Sequence, residues 1–168
     1  MDETTIGLIY PILKCWMKLG QQKVLPMMTG KRSYQYLAGV FNWHTEEIHC
    51  QPLGAMNSEA VIGYFEWLFT EIYPTQTVVL VLDNASFHHS YAVQAALSLF
   101  EDRVLVLWLP PYSPDMNPIE RFWKHLKANA CANKLYQSLE QLVTGVFDLI
   151  ACQNQADHEL RLSFCKDF

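Results

Sequence analysis

Two apolar runs, residues 77–82 (Thr-Val-Val-Leu-Val-Leu) and 103–109 (Arg-Val-Leu-Val-Leu-Trp-Leu), constrain this chain more than any other feature. Both are aliphatic or β-branched with no polar alternation, the pattern of a strand covered on both faces. The first is bounded by Pro74 and Asp83, and the second stops at Pro110-Pro111. Between them, residues 91–100 carry a helical spacing of apolar positions. Strands joined through a helix run parallel, because a tight hairpin cannot connect parallel neighbours. An α/β architecture is therefore predicted, and all-α and all-β folds are excluded.

The remaining segments fill in a mixed sheet. Residues 33–42 and 47–51 flank a short polar turn and read as an antiparallel hairpin. From Ser58, residues Val61, Ile62, Phe65, Leu68, Phe69 and Ile72 recur at helical spacing, with Asn57 or Ser58 as cap and Pro74 as stop. Asn117-Pro118 opens a helix with Ile119, Phe122, Trp123 and Leu126 on one face. Ser138-x-x-Gln141 opens a last helix carrying Leu142, Val143, Val146, Phe147 and Ile150. No repeat or linker divides the 168 residues, so one domain over 1–168 is expected.

Composition narrows the function classes. No apolar run approaches the roughly twenty residues of a membrane helix, and Met1-Asp2-Glu3 is acidic where a secretory leader is basic. The expected compartment is the cytoplasm. Cysteines 15, 50, 131, 152 and 165 are scattered and odd in number, so free thiols are expected, with no disulfide and no structural zinc. His44, His49 and Cys50 match no zinc spacing. Twelve Lys and Arg against seventeen Asp and Glu give a net charge of −5, which opposes nucleic-acid binding by bulk charge. A polyanion must instead meet a local strip: Lys14, Lys18, Lys23, Lys31 and Arg32, or the acid-free stretch of Arg121, Lys124, Lys127 and Lys134. Trp16, Trp43, Trp67, Trp108 and Trp123 read as core or interface mass rather than base-stacking platforms.

Ligands in open α/β sheets sit at the carboxyl ends of strands, which is where Asp83 falls. Taken alone, a turn or cap role for Asp83-Asn84 is the favoured explanation, since both side chains accept backbone hydrogen bonds. Glu120 likewise fits a capping box with Asn117, or an ion pair with Lys124. Yet Glu120, Lys124 and Lys127 share one helix stripe, and a carboxylate flanked by two ammonium groups suits a metal held against a phosphate backbone. Asp115 and Asn117 read as turn and cap residues, and His88-His89 as steadying the turn or supporting Asp83.

One long peptide joins these possibilities. Leu109-Pro110-Pro111-Tyr112-Ser113-Pro114-Asp115-Met116-Asn117-Pro118-Ile119-Glu120, followed by Trp123-x-x-x-Lys127, lies downstream of Val81-Leu82-Asp83-Asn84-Ala85-Ser86-Phe87-His88. It resembles the DDE transposase superfamily, and more narrowly the bacterial insertion-sequence transposases related to mariner elements. Weaker matches at Asp2-Glu3, Trp16-x-x-x-Gly20 and Tyr36-Leu37-Ala38-Gly39 extend the likeness over residues 2–150. The resemblance implies an RNase H-like fold and a catalytic, metal-ligating triad of Asp2, Asp83 and Glu120. It also implies two Mg²⁺ or Mn²⁺ ions, DNA cleavage and strand transfer at transposon ends and target DNA, and a TA target. Arg121, Lys124 and Lys127 would contact DNA phosphates, while Asn84 and His88 would support the triad.

The chain also departs from that pattern. Such transposases carry a basic helix-turn-helix region ahead of the catalytic domain and an apolar run leading into the first acidic residue, whereas here Asp2 follows Met1 directly. The expectation is a truncated first strand, a loosely held Asp2, and end recognition supplied by a separate DNA-binding region or chain, with homodimer pairing. Two functions compete: a metal-dependent strand transferase, and a non-catalytic remnant or split-frame fragment that pairs with an intact transposase.

Overall fold

In the computed structural model, which describes residues 1–9, 13–14, 16–21, 24, 33–111 and 116–155, the elements follow in the order β1 (Asp2–Gly7), β2 (Tyr34–Phe41), β3 (Ile48–Leu53), α1 (Ser58–Trp67), β4 (Val78–Leu82), α2 (Tyr91–Ser98), β5 (Val104–Trp108), α3 (Pro118–Leu126) and α4 (Leu139–Gln155). The predicted α/β class and mixed strand directions are what forms. β1 and β3 flank β2 antiparallel, and β4 pairs with β5 in parallel. They make two ladders, which meet where the Met1 amino group donates to the Val81 carbonyl at 2.9 Å. Asp2, expected to be loosely held, pairs in register with Gly39.

Side-chain alternation along β2 distributes two cores. Ala38 and Val40 face α1 and α2, joining Val61, Tyr64, Phe65 and Val93, while Leu37 faces α3 and α4 with Phe122, Trp123, Leu142 and Val146. The sheet is thus sandwiched by helices. Two helix starts follow the sequence signals, Asn57 accepting from Ala60 N–H at 2.9 Å and Ser138 from Gln141 N–H at 3.2 Å, and Ser90 caps α2 by accepting from Val93 N–H at 3.3 Å. Among the tryptophans, Trp123 is buried, whereas Trp16 and Trp43 are exposed.

One expectation fails. Strands β4 and β5 were expected to be covered on both faces, yet Val79, Leu105 and Leu107 are exposed. Their partners Leu80, Leu82 and Val104 sit in the α1–α2 core, but α3 and α4 pack over β1 to β3, leaving the second face of β4 and β5 uncovered among the described residues. No helix among the described residues is long and apolar enough to cross a membrane.

A glycine sets how closely α3 approaches the sheet. A Cβ on Gly39 would lie 2.7 and 2.8 Å from Cη2 and Cζ2 of Trp123 and 3.3 Å from Ile119 Cδ1. Any side chain there pushes α3 outward, because a packed indole cannot yield without moving its helix. Gly39→Ala is expected to destabilise the protein by about 1–3 kcal/mol in urea unfolding. Trp123→Leu in the same chain should recover part of that loss, and a G39A midpoint equal to that of the parent would refute the close approach.

Candidate active site

Asp83 is the first residue beyond β4, at the carboxyl end of a parallel strand. Its Oδ1 accepts the Ala85 N–H at 3.1 Å, so the turn role read from sequence is real. The same oxygen lies 2.9 Å from Nδ1 of His88, a completely buried residue whose Nε2 is 3.1 Å from Oε1 of Glu3. One imidazole therefore bridges the end of β4 to β1. Burial by itself would lower the His88 pKa, but hydrogen bonds to Asp83 and Glu3, with their charges, raise it to about 9. The His88 hydrogen bond in turn holds Asp83 below its ordinary 3.8, helped by the Ala85 amide and opposed by burial.

Asp2 points to the other face of β1, toward α3. Burial raises its carboxyl from 3.8 to about 7, and the charges of Glu3, Asp83 and Glu120 push the same way, against the Glu3 N–H that donates to Oδ1 at 2.8 Å. Asp83 and Glu120 thus each lie within electrostatic reach of Asp2. Among the described residues, no three His, Cys, Asp or Glu side chains are gathered into a ready metal cage.

Glu120 lies in the first turn of α3, where Asn117 is the N-cap by position. The Asn117 side chain makes no cap bond; its Nδ2 donates to the Met1 carbonyl at 3.4 Å and is buried. The capping-box reading fails for that reason. Asn117 instead fastens the helix carrying Glu120 to the strand carrying Asp2. Pro118 at the start of α3 lacks an N–H and loses nothing there.

Lys124 is exposed and Arg121 half-buried on the same helix. Lys127 is half-buried; burial lowers its pKa, while Cys131 and Asp2 oppose that shift, so its ammonium feels the Asp2 carboxylate. Asn84, expected to support Asp83, instead ties the loop to β5 by donating from Nδ2 to the Leu109 carbonyl, and its Oδ1 lies 3.1 Å from His89 Nε2. The His89 ring stacks on Trp108 with centroids 4.2 Å apart, forming an aromatic ledge beside Asp83. Lys23, Lys31, Arg32, Tyr112 and Asp115 lie outside the described residues. Sequence reading missed two features: Glu3 as the second partner of His88, and the His89–Trp108 stack. The Asp2-Glu3 dipeptide signals both faces of one strand, but nothing local pairs Glu3 with a histidine 85 positions away.

Comparison with known proteins matches a family model described as DDE superfamily endonuclease over residues 1–143. The chain is 30% identical over 145 residues to the insertion element IS630 uncharacterized 39 kDa protein of Shigella sonnei, covering 86% of this chain and 42% of that protein. It is also 30% identical over 66 residues to the uncharacterized protein y4pE/y4sA of Sinorhizobium fredii, covering 39% of this chain and 45% of that protein. Its fold is similar to a Mos1 transposase paired-end complex with left transposon end (TM-score 0.68, 22% identity, 98% of this chain and 48% of that one). It is similar too to the Mos1 paired-end complex with Mg (0.69, 21%, 98% and 50%) and to the Mos1 mariner transposase catalytic domain (0.62, 18%, 96% and 74%). The chain spans less than half the length of these curated relatives.

The His88 bridge has a pH signature. A group that binds its proton more tightly when folded stabilises fully below its unfolded pKa and loses that contribution as pH rises through the folded value. For His88 the window runs from about 6.5 to about 9. Urea midpoints should fall more across the upper part of that window in the parent chain than in His88→Gln. His88→Ala should cost about 3 kcal/mol near neutral pH, because two carboxylates lose the cation between them. Equal pH slopes in the parent and H88Q would show that His88 carries no raised pKa.

Proposed function

The chain belongs to the DDE superfamily endonucleases, and on that footing we propose that it acts as the catalytic domain of a transposase, cutting DNA and joining strands by in-line phosphoryl transfer. The observation that supports this most is the charge crowding at Asp2, whose carboxyl is lifted to about 7 by burial and by Glu3, Asp83 and Glu120. A carboxylate cluster of hard oxygen donors suits Mg²⁺ or Mn²⁺. The open arrangement is no obstacle, since Mg²⁺ keeps several waters and needs only one or two carboxylates. Asp2, Asp83 and Glu120 would hold the metal. When bound, two such ions supply Lewis acidity at the scissile phosphate and lower the pKa of an attacking water or hydroxyl.

The chain's own residues prepare that chemistry. The His88 hydrogen bond lowers the Asp83 pKa and fixes the direction of its carboxylate. Asp2 holds its proton up to about pH 7, and positive charge added beside it would ease the loss. Lys124, Arg121 and Lys127 line the helix that carries Glu120 and would meet DNA phosphates, supplying positive charge that the whole chain lacks. Recognition of transposon ends would come from a separate helix-turn-helix region, with two copies pairing on DNA. The paired-end Mos1 complexes support that reading by likeness of fold.

A second reading is a non-catalytic fragment that pairs with an intact transposase, since the chain spans less than half the length of its curated relatives. Calorimetry with MnCl₂ separates the two. The catalytic reading expects binding that Asp83→Asn and Glu120→Gln each weaken at least about tenfold, the loss of a metal ligand; no heat of binding in the parent chain favours the fragment. On DNA, Lys124→Ala should lower the salt-dependence slope of duplex binding by about 1 without changing sequence preference. An unchanged slope would remove Lys124 from the phosphate contacts.

A further inference from the structure

Trp108, read from sequence as core or interface mass, keeps 37% of its surface exposed at the end of β5. The ring of His89, itself exposed, lies on it with centroids 4.2 Å apart and planes 26° from parallel. Neither ring belongs to the two cores. Asn84 holds the pair from its edge. Its Nδ2 donates to the Leu109 carbonyl, one residue beyond Trp108, which leaves Oδ1 to accept from His89 Nε2 at 3.1 Å. Each ring covers one face of the other, and the outer face of His89 meets solvent. A flat aromatic surface fixed in advance loses little side-chain entropy when a second flat group stacks on it.

The position of the stack points to its occupant. Trp108 is the register partner of Leu82, so the stack stands at the carboxyl edge of the parallel pair, where Asp83 follows Leu82 directly. Asp83 is a metal-ligand candidate, and its neighbour Asn84 orients the ledge. Consecutive Cα atoms are about 3.8 Å apart, close to the roughly 3.4 Å between neighbouring nucleotides of one strand. A phosphate held beside Asp83 therefore sets a base one or two nucleotides away within reach of His89. Nothing acidic stands in the way, since no Asp or Glu occurs between Asp83 and Glu101. The first turn of α2, which begins just after His89, is also free of acidic residues, so its N-terminal amides attract phosphate without a competing carboxylate.

We propose that the His89–Trp108 stack is a nucleobase platform, which takes one unpaired base of the DNA strand whose phosphate lies at Asp83. This rests on the transposase reading above and adds a base contact to the phosphate contacts of α3. Inside a duplex both faces of a base are covered by its neighbours. Only a base swung out of the helix, or left at a frayed end, can stack on a side chain. Stacking engages the π face and not the hydrogen-bonding edge, so the platform separates unpaired from paired DNA rather than one base from another. His89 and Trp108 hold the strand and touch no reacting atom.

The test measures binding of the full chain, by fluorescence anisotropy in CaCl₂, to a blunt duplex, to the same duplex with a short single-stranded overhang, and to one whose overhang carries abasic sites. The overhang duplex should bind at least about fivefold more tightly than the other two, the lower end of what one base stacked on an aromatic ring contributes. His89→Ala should remove that preference and leave blunt-duplex binding unchanged, while His89→Phe, which keeps a flat ring, should retain most of it. Because His89 is an exposed turn residue outside both cores, H89A leaves the packing of the fold intact. A 2-aminopurine in the overhang should lose emission on binding the parent chain and keep it on binding H89A. Equal affinity for overhang and blunt duplexes overturns the platform alone, as does a preference that survives in H89A. Full preference for the abasic overhang does the same, because it marks recognition of phosphate only. Absence of binding to all three probes would overturn the transposase reading together with the platform.

Discussion

The seam between β1 and β4 is the joint on which the candidate site rests, and it is polar. No ladder unites these strands; a Met1 amino group on the Val81 carbonyl and a buried imidazole between Glu3 and Asp83 hold them side by side. A buried cation between two carboxylates is stable only with its geometry intact, because removing either side leaves an uncompensated charge in a low dielectric. The position of Asp83 relative to β1 is therefore set by electrostatics, while hydrophobic packing on both faces keeps water from the contact.

The third carboxylate arrives by a different device. Glu120 belongs to a helix that comes close to the sheet because Gly39 leaves room for the Trp123 ring, and Asn117 ties the start of that helix to Met1. Strand, turn and helix thus contribute one acidic residue each, and the Asp2 carboxyl is raised by burial first and then by the charges of Glu3, Asp83 and Glu120. On the proposed function, a hard cation would offset that unfavourable charge. DDE superfamily membership agrees with the proposed chemistry, and Lys124 beside Glu120 on α3 gives the acidic chain a local positive edge.

Much of this was visible in the residues. The two apolar runs announced a parallel strand pair, the spacing from Val61 to Phe69 a helix, and Asn117-Pro118 the start of another, because local periodicity and terminus chemistry act over a few residues. The apolar runs of β4 and β5 predict coverage on both faces while the structure exposes Val79, Leu105 and Leu107, since an apolar run reports the capacity for burial and not whether a helix arrives to supply it. Asn117 was read as a cap, yet the competing carbonyl of Met1, 116 positions away, takes its side chain.

Sequence by itself determined the class of fold, the order of elements and the identities of the acidic candidates, because each depends on short-range pattern or on a continuous motif. Tertiary structure decided which groups meet: Glu3 with His88, His89 with Trp108, and Gly39 with Trp123. Those contacts join residues far apart along the chain, and their geometry follows from helix packing and strand register, which no local stretch of residues encodes.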